Sequence, residues 1–264
     1  MRVALGVEYD GASFAGWQSQ VHGNTVQDVL ERALSAVAGA RIRTICAGRT
    51  DAGVHAIGQT IHFDTDVARP NTAWVRGTNA HLPPTVAVCW AKPVSEGFHA
   101  RFSARARSYR YLLLNRPVRP AVMHGRVGWY HAPLDTNAMI AAASCLVGEH
   151  DFSAFRAAGC QAKSPIKNLH HVAITGQQDV ITFDFMANAF LHHMVRNMVG
   201  ALVYVGKGKY GPGWIPELIA GRDRTRAAPT FDAAGLYFVG VDYGPEWQLP
   251  PGGRIMAPSI ALPA

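Results

Sequence analysis

Residues 104–115 read Ala104-Arg105-Ala106-Arg107-Ser108-Tyr109-Arg110-Tyr111-Leu112-Leu113-Leu114-Asn115. Cations and tyrosines alternate with small residues and lead into an apolar run, a pattern suited to a strand with one polar and one packed face. At this strand the chain restarts an order of elements it has already completed once. Upstream, Val3, Leu5, Val7 and Tyr9 alternate through Arg2–Tyr9, the period-two mark of a half-buried strand, and Asp10-Gly11 supplies a turn. Asn24 or Thr25 then caps a helix carrying Val26, Val29, Leu30, Ala33, Leu34 and Val37 at helical spacing, ended by Gly39. Strands follow at about 41–47 and 58–64, a helical stretch after Pro70, and a strand at about 85–92. The order is β-α-β-β-α-β.

Downstream of Ala104 the order repeats. The strand to Asn115 is followed by a helix near 135–147, strands near 168–175 and 180–186, a helix from Ala189, and a closing strand at 235–242. Two such units predict an α+β protein of two ferredoxin-like (RRM-like) modules with mostly antiparallel sheets and a cleft between them. The expected divisions are 1–104, 105–244 with a glycine-rich insertion after Tyr204, and a Pro-rich tail at 245–264 that drapes over the surface or is disordered.

At 264 residues and 48% hydrophobic content the chain can bury a packed core. Its formal charge of +7 favours a polyanionic partner, and 20 of the 25 basic residues are Arg, whose planar fork suits phosphate contacts and stacking. Codon bias would produce the same excess. Cys46, Cys89, Cys145 and Cys160 lie far apart and form neither a zinc nor a redox motif. Glu8 and Asp10 come too early for a signal peptide, and no apolar stretch approaches the ~20 residues of a membrane span, so a soluble cytoplasmic protein is expected.

Three segments could carry chemistry. The glycine-bounded run Gly48-Arg49-Thr50-Asp51-Ala52-Gly53-Val54-His55 looks like a loop at a strand end, with Asp51 its only carboxylate. On these residues alone, Asp51 reads first as an Asx-turn residue paired with Arg49. In the second segment, strand geometry puts Arg101, Arg105, Arg107, Tyr109 and Tyr111 on one face. That face is either a surface for RNA or a solvated edge with its tyrosines in the core.

The third segment, Phe190-Leu191-His192-His193-Met194-Val195-Arg196-Asn197-Met198-Val199-Gly200, is an apolar helix holding one arginine. Arg196 needs an anionic partner, either Asp51 or a substrate phosphate if it is not a structural ion pair. The pairs His170-His171 and His192-His193 make poor metal sites, because adjacent side chains diverge on a strand or helix. Gly206 to Gly211 spells a dinucleotide fingerprint but follows a helix where a strand is required. No Walker motif and no Gly-x-Ser-x-Gly elbow is present.

Taken together these blocks resemble the bacterial tRNA pseudouridine synthase A family along nearly the whole chain. The similarity rests on Tyr9-Asp10-Gly11 with Phe14-Ala15-Gly16-Trp17-Gln18, on 48–56, and on Phe98-His99-Ala100-Arg101-Phe102-Ser103-Ala104. It extends to Tyr109-Arg110-Tyr111, Gly148-Glu149-His150-Asp151-Phe152, 190–200 and Gly235-Leu236-Tyr237. One departure is Phe231-Asp232, where the family usually has an Ala-Pro step.

The resemblance implies a cofactor-free isomerisation of uridine to pseudouridine at positions 38, 39 and 40 of the tRNA anticodon stem-loop. It makes Asp51 the nucleophile, attacking the uracil ring or C1', in a catalytic cleft between the modules. Arg49 would displace the flipped nucleotide, Arg196 would pair with Asp51 and keep it ionised, Tyr109 would stack on the uracil and help remove the C5 proton, and Leu236 would line the pocket. A homodimer clasping tRNA is also implied. The residues by themselves leave two alternatives: a non-catalytic RNA-binding module with Asp51 as a turn residue, and a synthase of the same fold acting on another RNA.

Overall fold

The computed structural model describes residues 1–21 and 23–250. Of the tail expected at 245–264, residues 251–264 lie outside them, while Pro245–Trp247 forms a short 3-10 turn whose Trp247 ring packs edge-on against Phe98. Strand β1 spans Arg2–Tyr9, and helix α1 spans Val26–Ala38. The Thr25 hydroxyl accepts the Asp28 N–H at the start of α1, and Gly39, at φ 68°, closes it in the left-handed conformation that glycine adopts without a Cβ clash. Next come β2 (Ile45–Cys46), β3 (His55–Asp64), a π-helical turn at Ala73–Gly77 running into α2 (Thr78–His81), and β4 (Val86–Val94). The strand expected at 41–47 therefore shrinks to two residues.

The second half runs β5 (Ala104–Asn115), β6 (Gly128–Tyr130), α3 (Thr136–Ser144), β7 (Gly148–Asp151), β8 (Ile166–Gln177) and β9 (Val180–Ala187). It ends with α4 (Met194–Gly206), α5 (Trp214–Gly221) and β10 (Leu236–Tyr243). Among the described residues no helix is long and apolar enough to cross a membrane.

All strands join one mixed, mostly antiparallel sheet in the order β4-β1-β3-β10-β5-β9-β8-β7, with β2 on β3 and β6 on β5. The joint between the halves is a short parallel pairing, Tyr237 opposite His55 and Phe238 opposite Ala56. Gly58 permits this approach, since a Cβ there would lie 2.3 Å from the Val239 carbonyl oxygen. One apolar core runs through both halves beneath the helices, from Leu5, Leu30 and Phe63 to Phe183, Met198 and Leu202. On the other face Ala4, Phe98 and Ala100 pack with Trp90 and Trp247.

Candidate active site

The loop from Ala47 to Val54 leaves β2 and returns into β3 beside the joint, so buried bonds on both sides hold it. Gln59 Nε2 donates to the Gly48 carbonyl at 2.7 Å, and the Thr50 hydroxyl is 2.8 Å from Tyr9 Oη. The Trp17 N–H donates to the Thr50 carbonyl at 3.0 Å, and Gly16, at φ 94°, lets the 14–17 segment lie directly on the loop. His55 opens β3 as a buried brace: its Nδ1 accepts the Gly11 N–H at 3.1 Å. Pinned at both ends, the loop presents Asp51 and Arg49 to a cleft of about 850 Å³.

The Asp51 carboxylate makes no Asx turn among the described residues. Its partners come from the segment that enters α4: Arg196 Nη1 is 3.1 Å from Oδ2, His193 Nε2 is 3.4 Å from Oδ2, and His192 Nε2 is 3.4 Å from Oδ1. Asp51 thus has a guanidinium behind it and two imidazoles beside it. Arg196 is fixed from the far side, since its Nε donates to the Phe231 carbonyl at 2.8 Å. The departure from the family pattern at Phe231 therefore falls where the backbone makes the contact with Arg196, while the Phe231 ring packs edge-on against Tyr111.

Two expectations are corrected here. The helix begins at Met194 instead of Ala189, and His193 sits before it with φ 60°, a left-handed conformation rare for a residue with a Cβ. That twist turns His192 and His193 toward one target, their ring centroids 4.0 Å apart, instead of letting them diverge. Burial pushes the His193 imidazole down in pKa against the pull of Asp51. Ligand atoms of Asp51, His192 and His193 lie within 4.8 Å of one another, but the Arg196 guanidinium already occupies the shared carboxylate, and a cation between them would meet that charge at close range.

The other correction concerns the basic face of β5. Arg107 donates to the carbonyls of Ala47 and Asn188 and braces the cleft wall, whereas Arg105 pairs with Glu246 in the open. Tyr111 is buried, with its hydroxyl donating to the Asp232 carbonyl at 2.9 Å. Of the five residues, Arg101, Arg107 and Tyr109 reach the cleft.

Tyr109 is held by two edge-on rings, Phe190 at 4.9 Å and Phe238 at 5.0 Å. Burial, followed by the Asp51 charge, pushes its phenol well above the usual tyrosine range, so it keeps its proton at neutral pH. No protein group among the described residues hydrogen-bonds its hydroxyl. Leu236, at the start of β10, gives the cleft an apolar wall. Arg49 is exposed, and its guanidinium donates to Gln161 Oε1 across the cleft at 3.3 Å.

The residues missed from the sequence are His192 and His193 as neighbours of Asp51, and the wall at Cys160 and Gln161. For the histidines the signal was their place four residues or fewer before Arg196; for Cys160 and Gln161 no local pattern existed.

The chemistry available is that of one carboxylate, held by a guanidinium beside two imidazoles and an aromatic ring, in a cleft of about 850 Å³. A sequence profile described as tRNA pseudouridine synthase matches residues 6–103 and 142–244. The chain is 60% identical over 256 residues to tRNA pseudouridine synthase A of Aromatoleum aromaticum, covering 97% of each chain. It is 62% identical over 250 residues to the protein of that name from Dechloromonas aromatica, covering 95% of each. With the one from Methylobacillus flagellatus it shares 58% over 261 residues, 99% of this chain and 100% of that one.

Proposed function

The chain belongs to the tRNA pseudouridine synthase family and is an isomerase, and from that premise we propose that it converts uridine to pseudouridine at positions 38, 39 and 40 of the tRNA anticodon stem-loop, with Asp51 as the nucleophile. The observation that carries the assignment is the Asp51 carboxylate, presented to the cleft by a pinned loop with Arg196 3.1 Å away. A carboxylate fixed in this way is preorganised for attack, and the neighbouring cation favours its charged, nucleophilic form.

Tyr109, clamped edge-on, offers its face to a uracil that has left the base stack, and Leu236 closes the apolar side. Arg49, exposed on the same loop, takes the place the flipped nucleotide vacates. The N1–C1' bond breaks and the C5–C1' bond forms; the C5 proton is lost and N1 is protonated, so nothing is consumed. Asp51 is covalently joined to the nucleotide in between, at uracil C6 or at ribose C1'.

We read the architecture as two ferredoxin-like modules, 1–104 and 105–244, fused edge to edge with the catalytic cleft at their joint. The strand orders β4-β1-β3 with β2 beyond, and β10-β5-β9-β8, support this reading, because both follow the same pattern of strand neighbours. The family resemblance supports a cytoplasmic homodimer that clasps tRNA across both subunits.

The test is tritium release from a tRNA carrying C5-labelled uridine in its anticodon arm. Wild-type protein is expected to release the label, and Asp51→Asn to lose at least about 10⁴-fold in rate while still binding tRNA. Equal release from both proteins removes Asp51 as nucleophile. Binding without release by the wild type on any tRNA makes the chain an RNA-binding module.

A further inference from the structure

Phe102 is 75% exposed, an unusual position for a phenylalanine in a segment as tightly tied as this one. The Ala100 N–H donates to His62 Nδ1 at 3.1 Å, and the N–H groups of Arg101 and Phe102 both donate to His99 Nδ1 at 3.2 Å. Ser103 closes the turn, its hydroxyl accepting the His99 N–H at 2.9 Å and its own N–H donating to the His99 carbonyl at 2.8 Å. Tyr243 Oη bonds the Ala100 carbonyl at 2.6 Å.

These bonds fix the backbone that carries the ring. The ring itself is backed on one side by the His99 imidazole, stacked at 4.2 Å and 26°. Arg101, whose guanidinium carbon is 5.7 Å from the Phe102 centroid, lines the same cleft as Asp51. The turn therefore holds a largely exposed ring, with the Arg101 guanidinium over it, beside the cleft that Arg101 lines. An arrangement of this kind keeps the ordering cost of binding low, because the ring is already in place.

We infer that Phe102, with Arg101 beside it, is a stacking platform for one unpaired nucleobase of the RNA, outside the pocket that receives the target uridine. The chemistry required of the occupant is a planar π face for the ring and an adjacent phosphate or base edge for the guanidinium, which an unpaired loop nucleotide supplies. The platform holds the RNA at a second point, so that the target uridine enters the cleft in register with Asp51. This inference rests on the proposed action on tRNA.

Wild type, Phe102→Ala and Phe102→Trp are titrated with a synthetic anticodon stem-loop RNA, and with versions in which one loop base at a time is replaced by an abasic residue. Phe102→Ala is expected to weaken binding of the intact RNA by about five- to 150-fold, the loss of one base–aromatic stack, and Phe102→Trp to restore it. At one abasic position the alanine substitution should cost nothing more. Unchanged affinity for Phe102→Ala, or an equal loss on every abasic RNA, overturns the platform. So does sedimentation showing that Phe102→Ala lowers the oligomeric state, which would make the ring a contact between copies. Tritium release by the wild type is read in parallel. A position-specific binding loss without release upholds the platform and removes the isomerase reading, whereas release without any binding loss does the reverse.

Discussion

Arg196 and Phe231 are bonded to each other twice: the Arg196 side chain donates Nε–H to the Phe231 carbonyl at 2.8 Å, and the Phe231 N–H donates to the Arg196 carbonyl at 3.3 Å. The pairing leaves Nη1 aimed at Asp51 and fixes the direction from which the carboxylate is held. A lysine ammonium has no fork with which to span both acceptors. Arg196→Lys is therefore expected to keep the fold, as read by circular dichroism, and to lower single-turnover tritium release by about 10²-fold through misplacement of Asp51. Release within about twofold of wild type would show that charge alone suffices there.

Tyr109 offers a ring and a hydroxyl that can be separated. The ring is clamped by Phe190 and Phe238, and phenylalanine would keep both contacts. The hydroxyl has no hydrogen-bond partner among the described residues, and Tyr109 lines the cleft. Tyr109→Phe is expected to bind the anticodon stem-loop within about twofold of wild type, while turnover falls about 10²-fold, in the range of a lost acid–base or hydrogen-bonding group. Affinity falling in step with turnover would instead assign the hydroxyl to ground-state binding.

His62 makes stability depend on pH. It is buried, and burial first, then the charges of Arg2 and His99, push its imidazole down to about 4, with Asp64 pulling the other way. The folded value is below the unfolded one of about 6.5, so between these the unfolded chain binds the extra proton. The stabilisation is complete above about pH 6.5 and declines as pH falls toward 4, by on the order of 3 kcal/mol for this residue. Urea denaturation near pH 7.5 and pH 4.5 should show the decline, and His62→Asn should flatten it. Identical pH dependence in the two proteins would exclude His62 as the source. His55, His99 and His193 are displaced in the same direction and contribute to the slope that remains, as do the lowered carboxylates of Asp10, Asp28 and Asp64 at its acid end.

Gly16 lies against the Asp51 loop, which its neighbour Trp17 holds through the Thr50 carbonyl. With φ at 94° and the Thr50 carbonyl oxygen 2.8 Å from where a Cβ would stand, alanine there meets both backbone strain and a clash. Gly16→Ala is expected to lose about 1–3 kcal/mol in urea denaturation and to slow tritium release by displacing the loop. A stability within about 0.5 kcal/mol of wild type would show that the loop yields without cost.

Much of the secondary structure is local chemistry and could be read from the chain. The alternation of Val3, Leu5, Val7 and Tyr9 appears as β1, Thr25 and Gly39 bound α1, and Asp135 caps α3 through its bond to the Ala138 N–H. What failed has a physical reason in each case. At 41–47 a strand was expected, but only Ile45 and Cys46 pair in register with β3, opposite His62 and Ile61, because the Ile42 and Thr44 N–H groups donate instead to Ser35 and Glu31 side chains of α1. The start of α4 was missed because the left-handed twist at His193 is held by surroundings that no local propensity encodes.

By itself the sequence determined the class of the fold, the order of its elements, the family to which it belongs, and which side chains were worth seeking. Tertiary structure alone decided how they meet. Arg196 reaches Asp51 across 145 residues because the two halves share one sheet, joined where Gly58 lets β3 and β10 approach. His192 and His193 face the same carboxylate because of one backbone angle, and the basic strand sends Arg107 inward as a brace and Arg105 outward to Glu246. Spacing along a chain gives the face on which a side chain stands. Only packing between distant segments fixes what stands opposite it.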